Sequence, residues 1–126
     1  MSAFDQFARK QYLNIETFRK SGEGVKTPVW FVQEGEVLYV RTGANSGKVK
    51  RIRRSAAVNV APCTMSGKVT GEWVPAQARI LEDAETGKKI DQLIKKKYGL
   101  MAKLFGMQAN TGKEGNADLE ITAKNL

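Results

Sequence analysis

The chain has 126 residues, a formal charge of +8 from 21 Lys and Arg against 13 Asp and Glu, and an apolar content of 41%. That length suits one domain spanning 1–126, and that apolar content excludes a disordered tail. With one cysteine, Cys63, and no histidine, the chain cannot form an intrachain disulfide, a cysteine metal cluster, a histidine triad or a histidine-held zinc or haem site.

The positive surplus favours anionic partners: phosphorylated cofactors, nucleic acid or an anionic surface. The N-terminus, MSAFDQFARKQ, is polar and mixed in charge, unlike a secretory signal. No apolar run approaches a membrane span. The expected setting is the reducing cytoplasm, with no membrane partner. The core of so short a chain is small, so stability is expected to lean on oligomerisation.

In chain order, residues 2–10 predict a short amphipathic helix capped by Ser2, with Phe4, Phe7 and Ala8 on one face. Tyr12–Phe18 alternates Leu13, Ile15 and Thr17 against Tyr12, Asn14 and Glu16, the period of a strand. After the turn Ser21-Gly22-Glu23-Gly24, Val25–Val32 is rich in β-branched and aromatic residues. Its Pro28 cannot donate to a ladder, which predicts an edge, a bulge or a ligand there. Val37–Val40 reads as the third strand, Ala56–Ala61 as the fourth, and Val69–Trp73 and Ala76–Glu82 as strand material broken at Val74-Pro75. Thr86–Phe105 is helical in pattern but interrupted at Gly99, which predicts two short helices. Residues 107–116 read as a loop, and Ala117–Ala123 as a closing strand. Tight turns make the first three strands antiparallel. The strand spacing, with one interposed helix, favours a small closed or split barrel over a doubly wound sheet.

The stretch with the clearest chemistry is YVRTGANSGKVKRIRR, residues 39–54. It leaves a strand, passes through glycines and opens a helix at Ser46. A helix start offers free backbone N–H groups and the positive end of a dipole. With hydroxyls at Thr42 and Ser46 and the charge of Lys48, this reads as a phosphate cradle. A capped, solvent-exposed basic helix without a ligand is the alternative. Nucleic-acid binding is disfavoured, because Tyr39 is the one aromatic near these cations and stacking platforms are lacking. Lys26 and Arg41, on neighbouring strands, would either meet a second anionic group or face solvent. Glu16, Glu72, Glu82 and Asp83 are too scattered for acid–base work, and Cys63 without a histidine reads as a packed hydrophobe. Chemistry in this chain would therefore rest on an imported cofactor.

Two segments carry a family resemblance: Thr27-Pro28-Val29-Trp30-Phe31, and Ser46-Gly47-Lys48-Val49-Lys50-Arg51-Ile52-Arg53. At this separation the chain, from about Tyr12 to Leu81, resembles the pyridoxamine 5'-phosphate oxidase-like, FMN-binding split-barrel proteins. The similarity is greatest to the branch described as F(420)-dependent (deazaflavin-dependent) reductases. The resemblance implies a mainly β fold, a six-stranded antiparallel split β-barrel with short flanking helices. It implies a homodimer with the cofactor at the interface. It places coenzyme F(420) or FMN against Lys26, Thr27, Pro28, Val29 and Trp30, with its phosphate on Thr42, Ser46 and Lys48, joined by Lys50. The activity implied is hydride transfer between that cofactor and a small conjugated substrate. A cofactor carrier without turnover is the alternative. Arg51 and Arg54 are expected on the solvated side of the helix.

Overall fold

The computed structural model describes residues 3–99 and 115–124. Seven strands form one antiparallel sheet: β1 (Tyr12–Phe18), β2 (Gly24–Trp30), β3 (Val32–Glu34), β4 (Val37–Gly43), β5 (Ala57–Cys63), β6 (Val74–Leu81) and β7 (Asn116–Ala123). Their order across the sheet is β2-β1-β5-β6-β7-β4-β3. β2 and β3 occupy opposite edges of the sheet yet are consecutive in the chain. The sheet therefore curls until its edges meet at Phe31, the one residue between them. This is a mainly β split barrel, as expected. The expected six strands become seven because Val25–Val32 breaks at Phe31 and pairs on two sides.

Alternation explains which faces are buried. Leu13 and Ile15 of β1, Leu38 and Val40 of β4, Val58 and Val60 of β5, Ala76 and Ala78 of β6, and Leu119 and Ile121 of β7 fill the barrel interior. Phe4, Phe7 and Phe31 join them, with Phe7 meeting Phe4 and Phe31 edge-on at 5.6 and 5.7 Å between centroids. Ring packing thus plugs one part of the interior.

Among the described residues, two α-helices lie outside the barrel. α1 (Gly47–Arg54) follows β4, is N-capped by Ser46 and buries Val49 and Ile52, the two anchors its sequence offers. α2 (Ala84–Tyr98) starts two residues before the expected helix, because Asp83 Oδ2 accepts from Thr86 N at 2.9 Å and Thr86 Oγ1 at 2.6 Å. It ends at Gly99, whose φ of 51° suits a residue without Cβ. Ile90, Ile94 and Tyr98 of α2 pack on Val32, Tyr39, Trp30 and Val37, a second apolar cluster on the outer side of the sheet.

Three local expectations change. The first helix shrinks to a single 3-10 turn, Asp5–Phe7. Val69–Trp73 is not a strand, and only Val69 bridges to Cys63. Its backbone partners are taken elsewhere: Gln6 Nε2 donates to Glu72 O at 2.8 Å, and Glu72 N donates back to Gln6 Oε1 at 2.9 Å. β6 instead begins at Val74 and tolerates Pro75 as its second residue, close to the strand start. The Ser2 cap, the helical segment after Gly99 and the loop up to residue 114 lie outside the described residues.

Candidate functional site

β3 and β4 pair in the register Val32↔Tyr39, Gln33↔Leu38, Glu34↔Val37. Continuing that register would set Val29 against Thr42 and Pro28 against Gly43. The pairing stops instead, and β2 turns away to pair with β1. Beyond Tyr39, β4 keeps β7 on one side, and no described strand pairs with its other side. β2 likewise has β1 on one side and no described strand on the other. The two free edges, Thr27–Trp30 and Val40–Gly43, flank a split in the barrel. Unpaired backbone N–H and C=O groups along such edges are ready partners for a ligand.

The break has an identifiable cause. Tyr98, at the end of α2, accepts a hydrogen bond from Phe31 N through its hydroxyl at 3.1 Å. Its own proton lies between Gln11 O at 2.6 Å and Phe31 O at 2.9 Å. Lys97 Nζ donates to Phe31 O at 2.8 Å. Side chains of α2 therefore satisfy the backbone of Phe31, which pairing with Val40 would otherwise do. Burial raises the pKa of Tyr98, so the hydroxyl stays protonated at neutral pH.

At the far end of β4 the chain turns into α1. Ser46 N donates to Gly43 O at 3.0 Å, and Ser46 Oγ accepts from Val49 N at 3.4 Å. The cap leaves the Ser46 hydroxyl proton free to donate outward. Thr42, half-buried, makes no side-chain hydrogen bond among the described residues. Lys48 is half-buried and has no carboxylate partner among them. Burial, with a smaller contribution from Arg51, lowers its pKa. A partly desolvated cation without a counter-charge, beside a helix start and two hydroxyls, fits a phosphate.

The residues named from sequence divide by place. Thr42, Ser46 and Lys48 gather at the β4–α1 junction. Thr27, Pro28 and Val29 line the β2 edge, with Val29 packed on the barrel core. The other three have different settings. Lys26 Nζ sits 5.2 Å from the centroid of Trp73. Trp30 stacks one ring face on Tyr98 of α2, at 4.1 Å and 6°. Lys50 stands on the exposed side of α1.

The expectation for Arg51 changes, whereas Arg54 is exposed as expected. Arg51 Nε donates to Thr17 Oγ1 at 2.6 Å, and Arg54 donates to Phe18 O. Both tie α1 to the end of β1. Arg41 is neither solvated nor free for a ligand. Its guanidinium donates to Asp118 at 2.8 and 3.2 Å, to Asp91 at 3.0 Å and to Gly87 O at 2.9 Å, which raises its pKa. Sequence reading also passed over Asn14. It is 4% exposed, donates to Gly67 O at 3.0 Å, and leaves Oδ1 buried without a partner, across from Pro28. An asparagine between Leu13 and Ile15 on a strand was the available signal. Among the described residues no group of His, Cys, Asp and Glu could hold a metal ion, and no helix is long and apolar enough to cross a membrane.

No family model and no curated protein matches the sequence. Solved structures do match. A candidate pyridoxamine 5'-phosphate oxidase from Listeria innocua is 17% identical, with TM-score 0.66 over 91% of this chain and 85% of that one. An F(420) reductase is 15% identical, with TM-score 0.62 over 97% and 93%. HutZ, the haem storage protein of Vibrio cholerae, is 12% identical, with TM-score 0.72 over 94% and 84%. A curled seven-stranded sheet split between β2 and β4, shared with these structures across nearly the whole chain, is the fold of the pyridoxamine 5'-phosphate oxidase-like split-barrel proteins.

Proposed function

We propose that this protein is a flavin- or deazaflavin-dependent oxidoreductase that binds coenzyme F(420) or FMN in the split between β2 and β4 and acts on a small conjugated substrate. The observation that carries the reading is the junction of two unpaired strand edges with Lys48, a half-buried cation lacking a partner among the described residues. Thr42, Ser46 and Lys48 hold the phosphate through two hydroxyls and one charge. The Thr27–Val29 backbone runs beside the ring, and Asn14 Oδ1 is a spare acceptor near that path. When bound, the cofactor supplies a hydride carrier, so the protein needs only to orient the reactants and exclude water. A second copy of the chain completes the groove, which places a homodimer in the same reading.

Of the two cofactors, F(420) is favoured by the segments Thr27–Phe31 and Ser46–Arg53. The structural similarity to an F(420) reductase agrees with it. Haem held through histidine does not fit this chain, which has none. Stopped-flow oxidation of the reduced, bound cofactor by a panel of enones and quinones tests the activity. Acceleration over free cofactor is expected. Tight binding with no acceleration would instead identify a carrier.

A further inference from the structure

Arg51 stands one turn after Gly47, the first residue of α1, and its side chain leans back over that turn. A Cβ on Gly47 would lie 2.7 Å from Arg51 Nη1 and 3.4 Å from both Cζ and Nη2. The missing Cβ therefore makes room for the guanidinium against the helix start, where Ser46 and Lys48 flank Gly47. The orientation is fixed from the opposite side by β1. Arg51 Nε donates to Thr17 Oγ1 at 2.6 Å, and Thr17 is 1% exposed. Nη1 and Nη2 meet no acceptor among the described residues.

Arg51 and Lys48 are both half-buried, and neither has a carboxylate partner among the described residues. The nearby Glu23 carboxylate is engaged by Arg19 at 3.2 Å. The two cations feel each other: after burial, the charge of Arg51 is what lowers the Lys48 pKa. Like charges held this close gain from an anion between them. A tie between α1 and β1 uses Nε alone. It leaves unspent the Nη1–Nη2 pair, whose planar fork matches two phosphate oxygens. We propose that Arg51 is a second cationic ligand of the cofactor phosphate, donating from Nη1 and Nη2 opposite Lys48, with Thr17 and Gly47 as its positioning residues. The inference rests on the cofactor reading above and adds a second charge to the phosphate contacts named there.

Titration of the full chain at pH 7 with FMN, coenzyme F(420) and inorganic phosphate, wild type against Arg51→Gln, tests the proposal. Each of these ligands that binds wild type should bind Arg51→Gln about tenfold more weakly. Riboflavin, which is FMN without its phosphate, should bind both proteins alike. Gly47→Ala keeps Arg51 but sets a methyl group against its guanidinium, so it should weaken the same ligands and spare riboflavin. It decides the matter if Arg51→Gln is unstable. Unchanged affinity for the phosphate-bearing ligands in the variants would overturn the inference and leave the cofactor reading standing. Equal losses for FMN and riboflavin would also overturn it, because Arg51 would then shape the fold and not the phosphate contact. Inorganic phosphate bound by wild type and weakened in Arg51→Gln, with neither cofactor bound, would support Arg51 as an anion ligand and end the cofactor reading. Binding of none of these ligands to wild type would overturn both.

Discussion

Arg41 fastens three elements at one point. It lies opposite Asp118 on β7 and reaches Asp91 and Gly87 on α2. The arginine and Asp118 side chains are each 14% exposed, Asp91 47%. Removing one partner of such a pair strands the other charge away from water. Arg41→Leu should cost about 2–4 kcal/mol, the lower end reflecting the half-exposed Asp91. Urea unfolding measures this. The double change Arg41→Leu with Asp118→Leu should recover part of the loss, since no buried charge is then orphaned. A double mutant that loses the sum of both singles would contradict the assignment. From sequence, Arg41 had two readings, a ligand contact or a solvated face. Its actual partners are 50 and 77 residues away, so no local pattern could reveal them.

Lys97 gives a pH prediction. Its folded pKa is lowered to about 8 from 10.5, with burial as the cause. Between those values the unfolded chain holds more protons than the folded one, so stability rises with pH through that window. The Lys97 side chain is exposed along its length but its ammonium is part-buried against Phe31, which penalises the charged form below pH 8, and deprotonation relieves it. Lys48, also lowered, acts in the same sense. Tyr98, raised, acts oppositely once the unfolded tyrosine ionises above about pH 10. Denaturation of wild type and Lys97→Met between pH 7 and 10 should show a shallower rise in the variant. Identical slopes would show that Lys97 is not desolvated.

At the level of elements, the alternation of β1 and of β7, the Ser46 cap of α1 and its Val49–Ile52 anchors were all legible. Each is set by neighbours within a few residues. The break at Phe31 was not legible, because Tyr98 holds it from 67 residues away. The same clamp sets Trp30, which the family resemblance put against the cofactor: it stacks on Tyr98. The segment Val69–Trp73 failed as a strand for a related reason, since Gln6 takes the backbone of Glu72. Tyr98→Phe leaves the buried Phe31 N–H without its acceptor, at a cost of about 1–3 kcal/mol. Amide hydrogen exchange at Phe31 should accelerate along with the loss of stability. A variant with wild-type stability and unchanged exchange would show that the kink has another origin.

At the scale of the molecule, a chain without histidine lacks the usual general base, so the chemistry we propose for it rests on an imported reagent. The split between β2 and β4 is where we propose it binds. A strand leaves its neighbour, two free edges result, and a basic helix start stands at the end of the gap. The gathering of Thr42, Ser46 and Lys48 at one helix start was legible because cap, glycine and charge lie within seven residues of each other. The rest of the site was less so. Lys26 and Lys50 were named from sequence, but one lies near Trp73 and the other faces solvent. Strand period and helix position alone do not say which cation is left unpaired.

The most direct test of the central claim is titration of the full chain with coenzyme F(420) and with FMN, wild type against Lys48→Ala. The account predicts saturable binding of at least one cofactor. It also predicts a loss in Lys48→Ala of roughly 1.5–3 kcal/mol, about ten- to over a hundred-fold in dissociation constant. Binding of neither cofactor, or an identical dissociation constant in Lys48→Ala, would contradict it.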